Sequence, residues 1–287
     1  MKLLYLLLLI PSFVFGQHDQ KLEQGLRQVI SGFRGDVGIY VRNLKTGHYA
    51  EINADSVFPT ASIVKIPILI GVFDKIEKGE LQYHQPLVYR DSAKYGGSGI
   101  MQYFKDSSET ELSVLLALMM SYSDNTASLW NQALAGGGER INQLMEQYGM
   151  HVTRVNSRTA GRQEIWKIYG WGMTTPREMA TLLLKIRNGE IISKSASERM
   201  YRLMTHPYYD EGAISAIPPY VQAAHKSGAV DASRSEVVYV NAPHGEYVFY
   251  IGTKNITDQS WTDDNEASNL IRKVSTYLWE YFEKKKA

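Results

Sequence analysis

Residues Thr60 to Pro67 read TASIVKIP, which puts Ser62 three residues ahead of Lys65 at the entrance to the apolar run ILIGVF. At that separation two side chains share one face of a helix. The pair is either a nucleophile with its base one turn away or two polar residues at a common spacing. Alone it says little, because about one Ser-x-x-Lys match arises by chance in a chain of this length. The rest of the 287 residues has to decide.

Upstream, the chain starts MKLLYLLLLIPSFVFGQ. A single positive residue, an apolar stretch and a small-residue site before Gln17 read as a secretory signal over 1–16. The stretch is shorter than the ~20 apolar residues that a membrane span requires. The expected product is exported, periplasmic or secreted, without a membrane anchor. It contains no cysteine. Disulfides, a thiol nucleophile, a cysteine metal site and a lipidated N-terminal cysteine are therefore excluded. The net charge of +1 comes from 31 bases and 30 acids mixed along the chain, which argues against a nucleic-acid partner or an anionic membrane surface. The histidines show no ligand spacing, so neither a metal nor another cofactor is expected. The closing Lys284-Lys285-Lys286 run reads as a solvated helix end.

Apolar spacing predicts an amphipathic helix over 19–33 through Leu22, Leu26, Val29, Ile30 and Phe33. DVGIYVRN and HYAEIN flank LKTG as a hairpin. From Thr60 to about residue 205 the pattern is helical, interrupted at Gly79, Gly96-Gly97, Gly136-Gly137-Gly138 and Pro176. Strand signals return in YVQAAHKSG, SEVVYVNA and EYVFYIGTK, the last two facing each other across PHG. A long amphipathic helix closes the chain, with Leu270, Ile271, Val274, Leu278 and Phe282 on one face. The expected fold class is α+β. One antiparallel sheet, built from both termini (17–59 plus 212–287) and flanked by the terminal helices, holds an inserted all-helical domain (60–211). Ser62 falls at the boundary between the two, where clefts form.

Two more motifs lie downstream. Ser123-Asp124-Asn125 ends an apolar helix, and Lys226-Ser227-Gly228 sits inside a predicted strand. Each arises by chance in about one chain in ten or fewer, and the ordered trio is far rarer. With the Gly-Ser-Gly of YGGSGIMQ and the helix start MTTPREMATLL, the chain resembles the serine penicillin-recognising enzymes, and most closely the class A β-lactamase-like group. That resemblance implies the β-lactamase/transpeptidase-like fold.

Acyl transfer requires a nucleophile, a base and oxyanion donors. Ser62 at a helix start gains from the positive end of the helix dipole. A partly buried Lys65 near Lys226 would have its proton affinity lowered enough to serve as a base. The resemblance implies the other roles. Ser123 passes a proton to the departing nitrogen, Asn125 holds the substrate's amide side chain, and Lys226 with Ser227 binds its carboxylate. Gly228 and Ala229 leave room for substrate along the strand, with the Ala229 and Ser62 N–H groups as the oxyanion hole. Arg234 adds a cation, or is a solvated hairpin residue. Asp124 is read as structural, and His225 as a strand neighbour.

The pattern breaks in the loop SRTAGRQEIWKIYGWGM. Aligned on Arg158 and on Thr174-Thr175-Pro176, it puts Ala160 where the family carries its deacylating glutamate, and Met173 where an acid closes the loop against its arginine. Glu164 is the loop's one carboxylate. Either Glu164 serves as the base from a loop folded differently, or it is a surface residue and the acyl-enzyme is long-lived. The expected function is an exported serine β-lactamase acting through acyl-Ser62 on a small-molecule β-lactam, as a monomer. The alternatives are a D-Ala peptidase or esterase-like enzyme of the same fold with slow deacylation, and a non-catalytic β-lactam or peptidoglycan sensor.

Overall fold

The computed structural model describes residues 16–283. The expected leader, apart from Gly16, and the Lys284–Lys286 run lie outside the described residues. Five strands form the main sheet: β1 (Asp36–Asn43), β2 (Tyr49–Ile52), β8 (Ala223–Val230), β9 (Ser233–Val240) and β10 (Tyr247–Lys254). Their order is β2-β1-β10-β9-β8 and every pairing is antiparallel. The two chain ends meet in the middle, where β1 pairs β10 from Asp36↔Lys254 to Asn43↔Tyr247. This leaves β8 as a free edge.

Short pairings fasten the intervening chain. β3 (Phe58–Pro59) joins β7 (Gly172–Thr174), which joins β6 (Arg154–Val155), and β4 (Pro86–Val88) pairs β5 (Glu109–Glu111). The helices are α1 (Gln20–Val29), α2 (Lys65–Glu77), α3 (Leu112–Ser121), α4 (Asn125–Leu134), α5 (Gly137–Gln147), α6 (Gln163–Tyr169), α7 (Pro176–Arg187), α8 (Lys194–Met204) and α9 (Glu266–Glu283).

The sheet buries both faces. Ile39, Val41, Val238, Phe249 and Ile251 pack on Leu22 and Leu26 of α1 and on Leu270, Ile271, Val274 and Leu278 of α9. The opposite face presents Tyr40, Val237, Tyr239, Val248 and Tyr250 to a second core shared with α2, α3, α5, α7 and α8. All eight residues of β9 are therefore buried, a continuous pattern expected where both faces of a strand are covered. α7 lies directly against β1, β9 and β10. The helical segment and the inner sheet face thus share one continuous core.

α2 sits at the centre of that core. Its residues Lys65 to Asp74 are all buried, as befits a helix apolar around its whole circumference. Gly71 allows the approach of its neighbours, since a Cβ there would lie 2.9 Å from both Ala135 and Ile141. α1 is shorter than its periodicity suggests. It stops at Val29 and the chain turns at Gly32, whose φ is +82°. Phe33 still packs on the outer core from beyond the helix end.

Asp19 links the two terminal helices. Its Oδ1 accepts the Leu22 N–H at 3.0 Å, capping α1, and its carboxylate accepts the Tyr281 hydroxyl of α9 at 2.9 Å. Asp19→Ala removes a cap and a cross-helix bond, each worth about 1 kcal/mol. The expected loss is about 1–2 kcal/mol, read from the urea midpoint at unchanged m-value; a shift near zero would contradict the linkage.

Candidate active site

Ser62 lies in a 3-10 turn, Ala61–Val64, that feeds into α2. Ala61 has a φ of +43°, a region that costs a non-glycine residue on the order of 1–3 kcal/mol. The turn is held by the Thr60 N–H on Gly172 O at 3.0 Å and the Ile63 N–H on Thr60 O at 2.9 Å. Lys65, the first residue of α2, is fully buried. Its Nζ lies 2.8 Å from Ser62 Oγ, 3.0 Å from Ser123 Oγ, 2.5 Å from Ser123 O and 3.0 Å from Asn125 Oδ1. None of these is a carboxylate. Burial, and then the neighbouring Lys226, pull the Lys65 pKa well below its usual value against the opposing charge of Asp124. The shift is toward the neutral amine, the form that can accept a proton.

The turn between α3 and α4 carries the second group. Ser123 has a φ of +50°, and Asp124 explains how that is sustained. Its Oδ1 caps α4 through the Ala127 N–H at 2.8 Å, and its Oδ2 accepts the Met101 N–H at 2.7 Å. The Asn125 N–H donates to Ser98 O at 3.0 Å, and its Nδ2 donates to Gly96 O at 3.1 Å. The loop can approach this closely because Gly97 and Gly99 both have φ of +99°. A Cβ on Gly97 would stand 2.8 Å from Asn125 Nδ2. Tyr95, at the start of this loop, meets the Trp171 ring edge-on at 5.3 Å. Tyr103 is 80% exposed.

β8 brings the third group to the same place. Lys226 is buried, and its Nζ donates to Ser227 O at 3.0 Å. Burial pushes its pKa down to about 8, with the charge of Glu236 opposing the fall. The strand backbone runs beside the Ser62 turn: a Cβ on Gly228 would overlap Thr60 O and reach 3.0 Å from Ser62 N. Ser227, Gly228, Ala229 and Arg234 line a cavity of about 450 Å³ that extends to Trp261. Arg234 is not a solvated hairpin residue. It is 5% exposed and lies 4.3 Å over the Trp261 ring. Its guanidinium donates to Val230 O, to Ser233 O at 3.1 Å and to Ser260 O at 2.9 Å.

The loop before α7 is not closed by Arg158. Arg158 is exposed, with a φ of +47°, and Ala160 is exposed. Arg162 instead reaches Met173 Sδ at 3.4 Å and donates to Asn156 Oδ1 at 2.7 Å. Glu164 sits on α6 with its side chain 82% exposed and accepts from Lys167 at 2.7 Å. It is not brought to Ser62 or Lys65. The loop residue facing Lys65 is Trp171, whose ring centre lies 5.9 Å from Nζ. Motif spacing gives no sign of that placement. Nor does it pair His225 with Glu236, whose side chains meet at 2.6 Å across β8 and β9. A glutamate inside the otherwise strand-like SRSEVVYV was the available clue. Among the described residues no group of three or more acidic or histidine side chains is arranged to hold a metal ion.

A protein-family model described as the beta-lactamase enzyme family matches residues 21–282. β-Lactamase VEB-1 of Pseudomonas aeruginosa is 23% identical over 294 residues, spanning 98% of this chain and 97% of that protein. Among solved structures, PBP-A superposes with a TM-score of 0.83 at 29% identity, over 94% of this chain and 98% of that one. A β-lactamase from Chitinophaga pinensis superposes with a TM-score of 0.82 at 20% identity, over 91% and 99% respectively.

The buried amine has a thermodynamic signature. A lysine whose folded pKa lies below its unfolded value binds fewer protons in the folded state, so stability rises with pH between the two values. Lys65→Met removes that dependence and the desolvation cost together. The variant is expected to be more stable than the parent at pH 7, with the gap closing by up to about 1.4 kcal/mol per pH unit toward pH 10. Urea unfolding at pH 7 and 9.5 measures it; a gap independent of pH would contradict the depressed pKa.

Proposed function

This chain belongs to the beta-lactamase enzyme family, and from that membership we propose that it is an exported serine enzyme that opens the β-lactam amide through an acyl-Ser62 intermediate and releases the product slowly. The observation that carries the reading is Lys65 Nζ, buried without a carboxylate partner and within 3.0 Å of both the Ser62 and Ser123 hydroxyls. In the proposed course neutral Lys65 takes the Ser62 proton as Oγ attacks the lactam carbonyl. The Ser62 and Ala229 N–H groups hold the oxyanion. The C–N bond breaks as Ser123 donates a proton to nitrogen and is resupplied from Lys65. Lys226 and Ser227 hold the substrate carboxylate, Arg234 adds positive charge nearby, and Asn125 anchors the side-chain amide.

Slow release is supported by the loop. Deacylation requires a base for water, and the loop carboxylate Glu164 is exposed and bonded to Lys167. A point mutant of the PBP-A relative is described as an acyl-enzyme complex with penicillin G, which agrees with acyl-enzyme formation on this fold. In that case β-lactams trap the enzyme, and its natural substrate is a D-Ala peptide or another ester or amide. The second reading, an efficient hydrolase, is favoured by the match to VEB-1 along nearly the whole chain and requires Glu164 to turn inward. A non-catalytic sensor has less support, since nucleophile, base and proton-relay groups are all in contact. No helix among the described residues is long and apolar enough to cross a membrane.

Residues 17–287 mixed with a chromogenic cephalosporin, with colour and intact mass recorded together, test this. A persistent adduct on Ser62, slow turnover and no adduct in Ser62→Ala are expected, and Glu164→Gln should change deacylation less than twofold. Rapid turnover abolished by Glu164→Gln would establish the second reading, and neither adduct nor turnover would remove both.

The two lysines also set opposite pH limits. Acylation should rise with pH as Lys65 loses its proton and fall above about pH 8 as Lys226 loses its own. A bell-shaped profile of the second-order acylation rate is expected; a profile still rising at pH 9.5 would contradict the role given to Lys226.

A further inference from the structure

We propose that Tyr209 and Trp261 wall a subsite for a flat, uncharged aromatic or heteroaromatic ring on the departing side of the substrate, next to its carboxylate. The inference rests on the acyl-Ser62 reading and deepens it by naming the class of substrate that the site prefers. Neither residue belongs to the three motifs.

Both rings line the cavity of about 450 Å³ beside Ser227 and Ala229, a volume in the range of small-molecule sites. Trp261 is 66% exposed, yet it is fixed. Its Nε1 donates to Asp231 Oδ1 at 2.9 Å in the turn between β8 and β9, and the Arg234 guanidinium lies 4.3 Å from its ring centre. The backbone before it is tied as well. Ser260 N–H donates to Asp258 Oδ1 at 3.0 Å, and Ser260 O accepts from Arg234 at 2.9 Å and from Asn265 Nδ2 at 3.0 Å. With Arg234 against one face of the indole, the other face is left for a ligand. The tyrosine wall is held from the Ser123 side. Tyr208 stacks on Tyr122, the neighbour of Ser123, with ring centres 4.6 Å apart, and its N–H donates to Ser121 O at 3.0 Å. Tyr209 then meets Tyr208 edge-on at 5.1 Å. Walls already held in place cost a ligand little further ordering.

Substrate chemistry brings a ring to this place. In a cephalosporin the departing nitrogen, the carbon bearing the carboxylate and the carbon bearing the variable substituent follow one another around the six-membered ring. With nitrogen at Ser123 and the carboxylate at Lys226 and Ser227, the substituent falls beside Ser227, which lines the cavity. Because β8 is a free edge, no further strand stands between the Ser62 turn and that space. The charged groups of the lining do not select an ion. Arg234 and Arg272 face Glu211 and Asp263 across it, and the Arg272 guanidinium is taken by Glu211 O, Asp263 O and Asn269 Oδ1. Glu236 is taken by His225 and the Ala213 N–H. With both signs present and largely engaged, the two aromatic side chains decide the preference, and they favour a ring that can stack or meet them edge-on.

The test compares two cephalosporins with the same thienylacetyl side chain, one carrying a dinitrostyryl group on the six-membered ring and the other an acetoxymethyl group in its place. Second-order rates of Ser62 acylation are read from intact mass. The aryl-to-acetoxymethyl ratio of each variant is divided by that of the parent, which cancels the intrinsic reactivities of the two compounds. Trp261→Ala and Tyr209→Ala should each lower the ratio about three- to tenfold. Trp261→Phe keeps a ring without the Asp231 bond and should restore the ratio to within about twofold. An unchanged ratio in either alanine variant overturns the inference, including the case in which both compounds lose rate equally because Trp261 serves only to hold Arg234. A phenylalanine variant no better than alanine overturns it too. If neither compound acylates the parent, the acyl-Ser62 reading fails instead.

Discussion

A lysine amine held inside the protein with no counter-ion is the constraint on which the rest of this architecture depends. Lys65 is tolerated at the centre of the helical core because four oxygens surround its nitrogen, contributed by Ser62, Ser123 and Asn125. The turns that carry those oxygens are themselves specially held. Ala61 and Ser123 adopt left-handed backbone conformations, Asp124 caps α4 and the preceding loop at once, and Gly97 and Gly99 permit the contact. The strain costs on the order of 1–3 kcal/mol per residue. The apolar burial of α2 on all sides offsets it, at about 1.5–3 kcal/mol per large side chain.

Two lysines close to one another cannot both be comfortable as cations. Their environments divide the roles. Lys65 is fully enclosed and has polar but uncharged acceptors, and burial followed by the charge of Lys226 lowers its pKa well below the usual lysine value. Lys226 lies on the edge strand, where burial pushes its pKa down to about 8 and the charge of Glu236 opposes the fall. A pair of groups driven apart in this way suits the proposed division into a base and an anion anchor. The antiparallel sheet makes the division possible. Because β8 is an edge strand, its backbone can run beside the Ser62 turn at Gly228 while its far side meets Glu236 on β9.

Much of this was legible in the residues. DVGIYVRN is β1 from end to end, and SEVVYVNA and EYVFYIGTK pair across their turn. The first two short motifs meet around the Lys65 nitrogen, and the third runs beside the Ser62 turn at Gly228. What the pattern lacked were contacts made by residues distant in sequence or without a periodic signal. Helical spacing continued through Phe33, but Gly32 turns the chain while leaving Phe33 on the same core. Arg158 was the natural anchor for the loop by count, yet Arg162 makes the contact with Met173 because α6 begins immediately after it. His225 looked like an ordinary strand neighbour; its partner lies eleven residues on, brought opposite only by hairpin register.

The two halves of the proposed reaction are held by different parts of the molecule. The groups for acylation are fixed by α2, the α3–α4 turn and β8, all anchored in the larger core. The loop before α7 is held by local contacts. Arg162 bonds Asn156, Gln132 and Ser157 exchange two hydrogen bonds, and Thr159 packs where Gly138 has no side chain. Glu164 on α6 stays in solvent, paired with Lys167, while the Trp171 ring stands 5.9 Å from Lys65 Nζ. A change confined to that loop can alter the lifetime of an acyl-enzyme without touching the geometry that forms it. In the proposed reaction Ser62, Lys65 and Ser123 would form the acyl group, and residues 156–173 would govern its release.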